Sequence, residues 1–168
     1  MPRKLGMKTA HRMAIIKNQA SNLLWYGRIE TTQAKAKELR SYVEKVLTLA
    51  INSYEDIVEV VVKKKTADGK EVEKKVVKDG LKKLAARRKI MSKIYDLQEI
   101  KAKGETRKDF KDRTKGINHP LVEKIFNELA PKYADRAKEL GQGGGYTRIY
   151  LLGERRGDAT ERAIIELV

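Results

Sequence analysis

The sequence predicts a mixed α/β fold of the α+β kind. Three observations carry that prediction. Two apolar stripes at helical spacing occupy the first part of the chain, short β-branched or aromatic runs recur in the middle and at the end, and glycines or prolines punctuate the joins. The length of 168 residues suits one domain with extensions.

Charge bounds the function. Lys and Arg total 38 against 23 Asp and Glu, a net charge of +15. Such a charge repels itself in water and becomes favourable beside a polyanion that releases counterions on contact. No apolar run approaches the roughly 18 residues that span a bilayer, and no apolar segment of a secretory signal follows the basic start. With no cysteine, disulfide and thiol chemistry are excluded. The expectation is a cytoplasmic nucleic-acid binder with no membrane partner.

Residues 1–8 are read as a basic extension, too short and polar to pack, that orders against phosphate. Between Met1 and Arg28 there is no acid, while Arg3, Lys4, Lys8, Arg12, Lys17 and Arg28 are present. Residues 9–168 are read as the single domain. Thr9 is a fitting helix cap and Gly27 a left-handed stop, which predicts a helix over 10–26 with Met13, Ile16, Ala20, Leu23 and Leu24 on its core stripe. The opposite face carries His11, Arg12, Asn18, Gln19, Asn22 and Tyr26, with Ile15 among them. An ordinary solvated face mixes Glu with Lys, because such pairs stabilise it. Amides in their place suit ribose hydroxyls and base edges, so this face reads as an RNA surface.

The short segment Arg28-Ile29-Glu30 is a candidate strand. A second helix follows, capped by Thr31 or Thr32, with the stripe Ala36, Leu39, Val43, Val46, Leu47 and Ala50. Lys35 and Lys37 sit in its first turns, where cations oppose the helix dipole unless a phosphate lies between them and the free N–H groups.

The β-branched run Ile57–Val62 and its weaker echo Val72–Val77 flank a Lys-rich stretch with the turn pair Asp68-Gly69. They predict a hairpin that stands apart from the main sheet. After Gly80, Leu81 to about Ile100 reads as a helix with Leu84, Met91, Ile94 and Tyr95 inward. Its remaining surface is crowded with Lys82, Lys83, Arg87, Arg88, Lys89 and Lys93, another phosphate-contacting stretch. Lys101–Ile117 reads as a loop. His119-Pro120 opens a short helix with Val122, Ile125, Phe126 and Leu129 on its core side, and Pro131 ends it. A further turn over 133–140 leads to the glycines of 141–145. Strands over 146–152 and 163–167, joined at Gly153–Gly157, form a terminal hairpin that the 28–30 strand can join. Tyr146 and Arg148 of this hairpin, and Arg155 and Arg156 at its tip, complete the candidate RNA-binding residues.

Catalysis finds little support. The glycine run precedes a strand and lacks the following Lys-Ser or Lys-Thr of a phosphate-binding loop. The two histidines, His11 and His119, belong to different elements, so no metal cluster is expected and no cofactor.

Several stretches together resemble one family. They are Thr9-Ala10-His11-Arg12, the run from Ile29 through Glu30, Thr31, Thr32, Gln33, Ala34, Lys35, Ala36, Lys37, Glu38 and Leu39 to Arg40, and Leu47-Thr48-Leu49-Ala50. Later come Ile125-Phe126-Asn127-Glu128-Leu129 before Pro131, then Gly144-Gly145-Tyr146-Thr147-Arg148-Ile149, Gly157-Asp158 and Ile165-Glu166-Leu167-Val168. In order and spacing, over about two thirds of the chain, they resemble the bacterial large-subunit ribosomal proteins of the L-seventeen family. The resemblance implies a two-layer domain of about four helices on a small three-stranded sheet. The chain departs from the family's usual length by insertions at about 55–80 and 98–118 and by a longer run at Lys138–Gln142. It implies a non-enzymatic constituent of the large subunit that binds 23S rRNA. Neighbouring ribosomal proteins near the polypeptide exit side are the expected partners, with no small-molecule substrate and no obligate homo-oligomer. The alternative is a nucleic-acid-binding protein outside the ribosome, such as a nucleoid or RNA-associated factor. An RNA-processing enzyme is a third class, for which no candidate active site is found.

Overall fold

The computed structural model describes the backbone of residues 4–65 and 71–168. Arg3 and the Asp68-Gly69 turn lie outside the described residues. In chain order the elements are α1 (Thr9–Tyr26), β1 (Arg28–Thr32), α2 (Gln33–Ile51), β2 (Ile57–Lys65), β3 (Glu71–Asp79), α3 (Leu81–Lys93), α4 (Arg107–Arg113), α5 (Pro120–Lys124), a π-helical turn (Ile125–Leu129), α6 (Ala130–Leu140), β4 (Thr147–Glu154) and β5 (Glu161–Leu167).

α1 ends where a glycine permits it. Gly27 takes a left-handed φ of 78°, and its N–H reaches the Leu23 carbonyl at 2.8 Å. The cap lies one residue earlier than expected, at Lys8, so Thr9 is already helical. Ile16, Ala20, Leu23 and Leu24 are buried, with Met13 half-buried at the end of the stripe. α2 buries its whole expected stripe, Ala36, Leu39, Val43, Val46, Leu47 and Ala50. Thr32 is its cap residue.

The main sheet is antiparallel in the order β1-β5-β4. Ile29, Ile165 and Ile149 align across it, as do Thr31, Ala163 and Leu151. α1 and α2 cover one face at Ile29, Ile149, Ala163 and Ile165, while Leu151 at its edge stays exposed, and α3 and the 120–140 helix pack onto α1 and α2. The core is one continuous cluster, running from the sheet through α1 and α2 to Ile90 of α3 and to Leu121, Ile125 and Tyr133 of the 120–140 helix.

β2 and β3 form a two-stranded sheet of their own, paired from Ile57↔Asp79 to Lys65↔Glu71. Its base is clamped. Asp56 accepts the Gly80 N–H at its carbonyl (2.9 Å), and its carboxylate accepts the N–H groups of Lys82 (2.8 Å) and Lys83 (3.2 Å). Asp56 thus caps α3 from the far side of the hairpin. A Cβ at Gly80 would fall 2.4 Å from that carboxylate, so glycine is what lets the cap approach.

Three expectations are corrected. α3 stops at Lys93 rather than near Ile100, and its inward residues are Ala86 and Ile90. Ile94 is buried outside the helix, Leu84 is half-buried, and Met91 and Tyr95 are exposed. The helix ends there because other elements take over its last backbone groups. Tyr42 donates to the Lys93 carbonyl (2.7 Å), Lys17 to that of Ser92 (2.8 Å), and the Tyr95 N–H donates to Ser21 (2.8 Å).

The expected loop over 101–117 contains α4. Thr106 caps it by accepting the Asp109 N–H at 3.2 Å, a Thr-x-x-Asp pattern overlooked for want of an apolar stripe behind it. Pro131, finally, ends nothing. The chain runs on from α5 through the π turn into α6. Proline cannot bond back to a carbonyl one turn earlier, and the wider turn just before it accommodates that loss. Ala130, Tyr133 and Ala134 on the continuation are buried.

Candidate RNA-binding surface

The outer side of α1 keeps the chemistry expected of it. Lys4, Lys8, His11 and Asn18 are exposed, Asn22 is half-exposed, and Tyr26 is 63% exposed. Asn22 donates to the Asn18 side chain at 3.4 Å, which leaves both amides at the surface. No acid interrupts residues 4–28. Gln19 sits on the flank, where its amide donates to Thr31 at 2.9 Å and ties α1 to β1. Arg12 is half-buried in a groove with Met13, Ile16, Glu38, Tyr42 and Lys45.

A second groove is built from distant parts of the chain. Thr31 and Thr32 close β1, Lys35 lies in the first turn of α2, and Arg155 and Arg162 come from the β4–β5 hairpin, with Glu30 on the rim. The α2 N-terminus has no acidic residue in its first turn, and Thr32 makes no side-chain cap bond. Its N–H groups and three cations therefore face one concave space. Glu30 is held by Arg162 at 3.3 Å. Arg155 is oriented by Asp158, with bonds of 2.8 and 2.5 Å that hold the Asp158 carboxyl far below the usual range. Arg156 is exposed beside it, and Lys37 is exposed while donating to Gln33 at 2.9 Å. Such a groove suits an anion with several acceptor oxygens.

The expected residues do not all lie on this surface. Arg87 turns inward, donating to Asp79 at 2.7 Å and Glu123 at 2.5 Å, with its guanidinium 5.1 Å from the Phe126 ring. Lys83 joins it, 3.4 Å from Asp79. Arg88, Lys82 and Lys89 remain outside. Tyr146 is buried, its ring 5.0 Å from that of Tyr133. Arg148 is exposed. Arg162 was overlooked, and alternation in the last strand was the available signal, since it precedes the buried Ala163.

Among the described residues, no group of three or more His, Asp or Glu could hold a metal ion, and no helix is long and apolar enough to cross a membrane. His119 lies 3.0 Å from Asp96 at the start of α5, a pairing of two groups.

Comparison with known proteins bears on the chain as a whole. The family model described as Ribosomal protein L17 matches residues 15–168. The chain is 36% identical over 185 residues to the "Large ribosomal subunit protein bL17" of Lachnospira eligens, covering 99% of this chain and 98% of that one. The proteins of the same name from Acetivibrio thermocellus and Ruminiclostridium cellulolyticum are 35% and 40% identical over 190 residues, again covering 99% of this chain and 98% of theirs. A match that spans β1, α2 and the terminal hairpin, which together build the cationic groove, leaves one conclusion: this chain belongs to the ribosomal protein L17 family.

Proposed function

We propose that the protein holds 23S rRNA through two linked surfaces, the acid-free outer side of α1 and the groove formed by Thr31, Thr32, Lys35, Arg155 and Arg162. As a member of its family it is a structural, non-enzymatic constituent of the large ribosomal subunit, working in the cytoplasm within the ribosome. The observation that carries the rRNA reading is the convergence of Lys35 with Arg155, residues 120 positions apart, around the open start of α2. Lys4, Lys8, His11, Asn18, Asn22, Lys37, Arg88, Arg148 and Arg156 extend the contact, Arg3 belongs to it by sequence, and Arg12 and Gln19 flank it. The site lies near the polypeptide exit side among other large-subunit proteins, and the chain acts without forming an obligate homo-oligomer. Residues 9–168 serve as one domain, on which the β2–β3 hairpin is an added arm offering lysines to rRNA.

Reversing Lys35, Arg155 and Arg162 to Glu is expected to abolish incorporation into large subunits while leaving the fold intact. Sucrose-gradient fractionation at high salt, with circular dichroism of the free variant, checks this. Wild-type incorporation would sink the groove assignment, and a wild-type pool that sediments free or with DNA would favour a nucleic-acid binder outside the ribosome. Affinity for an rRNA fragment is also expected to fall with salt, with a log–log slope of about −0.7 to −0.9 per phosphate neutralised, by analogy with DNA. A flat response would contradict phosphate binding.

A further inference from the structure

The three-stranded sheet has two faces, and the helices cover one of them. Ala163 and Ile165 point into the core and are fully buried. Arg162, Ile164 and Glu166 alternate with them and point the other way. The register sets three rows on that outer face: Arg28, Glu166 and Arg148; Glu30, Ile164 and Tyr150; Thr32, Arg162 and Gly153. Tyr150, in the middle row, is 42% exposed. Arginine rows lie on both sides of it. Glu30 is paired with Arg162 at 3.3 Å, and Glu166 lies in register between Arg28 and Arg148. Arg148 stands against the Tyr150 hydroxyl, a contact that raises the guanidinium pKa. The lower row opens into the cationic groove, because Arg162 belongs to both.

We propose that this face is a stacking platform for unpaired RNA, with a base on the Tyr150 ring and the adjoining phosphates at Arg162 and Arg148. An exposed aromatic ring between arginines on an antiparallel sheet offers a base both a π-surface and charge for its backbone. A duplex keeps its internal bases stacked on one another and offers the ring a free face only at its ends, so the occupant is a single-stranded stretch. The direction is set by the groove, since a strand that leaves a phosphate among Lys35, Arg155 and Arg162 runs next over Ile164 and Tyr150. This inference rests on the rRNA reading above and narrows it to looped or bulged segments at this end of the protein.

The test compares affinities of the full chain for a short oligouridylate and a long RNA duplex, whose internal sites far outnumber its ends. Tyr150→Ala is expected to weaken the single strand about tenfold, as loss of one stacked base does, and to leave the duplex unchanged. The salt slope should not move, because no phosphate contact is lost. Tyr150→Phe and Tyr150→Trp keep the ring and should bind the single strand as well as wild type. If Tyr150→Ala weakens neither probe, or both equally, the platform is overturned while the phosphate groove stands. If it blocks entry into subunits yet leaves oligouridylate affinity intact, a protein occupies the face and the proposal is wrong. A wild-type chain that binds neither probe in a salt-dependent way overturns the rRNA reading as well.

Discussion

Replacing Tyr133 with alanine is expected to remove about 3–5 kcal/mol of stability, whereas replacing it with phenylalanine should leave stability unchanged or raise it. Tyr133 is fully buried where α6 meets α2, and its ring lies against Tyr146, the residue that leads into β4. Truncation to alanine empties the space of a whole aromatic ring and takes away the support of that strand. The hydroxyl has a different balance. It has no hydrogen-bond partner among the described residues, so burying it costs free energy that phenylalanine does not incur, about 1 kcal/mol. Burial also pushes the Tyr133 pKa up to about 12 from 10.0, with Arg136 pulling weakly the other way. The folded state therefore holds the proton more tightly than the unfolded chain. This stabilisation is complete below pH 10 and is lost as the pH rises from there through about 12. Tyr133→Phe should flatten that alkaline limb, leaving the smaller contributions of Tyr42 and Tyr54, whose pKa values are also raised. Thermal unfolding across this range is the measurement, and a steeper alkaline loss in the phenylalanine variant would refute the assignment.

Arg87→Met is expected to cost about 1–3 kcal/mol, because it strips two half-buried carboxylates of their shared partner. The guanidinium joins Asp79 at the base of the hairpin to Glu123 on α5, and its own side chain is 18% exposed. Burial alone would raise the Asp79 pKa. The hydrogen bond and charge of Arg87, followed by Lys83, outweigh it and leave the carboxyl below its ordinary value. The sign follows from that depression. The stabilisation is present above the ordinary aspartate pKa near 4 and is lost as the pH falls through the lower folded value. In Arg87→Met the acid loss should shrink, since Asp79 keeps only Lys83, at 3.4 Å. Urea unfolding at neutral and acid pH tests this. A variant with wild-type stability and weakened RNA binding would instead make Arg87 a phosphate contact.

These two residues mark where sequence reasoning reached its limit. α2 was legible to the last residue of its stripe, because a long helix packed on several neighbours must show an unbroken apolar face. The C-terminal hairpin and its third strand were legible for a related reason, since β-branched alternation and turn glycines act locally. Arg87 and Arg88 could not be told apart on the same terms. Arginine buries its stem as readily as it exposes its head, and the acids that draw Arg87 inward lie in β3 and α5. Tyr133 was hidden by Pro131, whose usual meaning as a stop was overridden by a turn wide enough to pass it. The cationic groove was half visible. Lys35 and Arg155 each looked like a phosphate contact, but only the register of β5 between β1 and β4 brings them together and adds Arg162.

That register also has a consequence for the order in which the molecule is made. β5 is the middle strand, and it follows both of its neighbours in the chain. Until it emerges, β1 and β4 have no hydrogen-bonded partner in the sheet, and the segment beginning at Arg28 must wait for Glu166 to arrive. Such late, long-range closure is slow compared with the local formation of α1 and α2. A nascent chain stopped short of residue 161 would hold its helices but neither the sheet nor a complete groove. Completion of the groove is thus withheld until synthesis has passed β5, so that a chain cut before it would keep the α1 face but lack the place where Lys35, Arg155 and Arg162 converge.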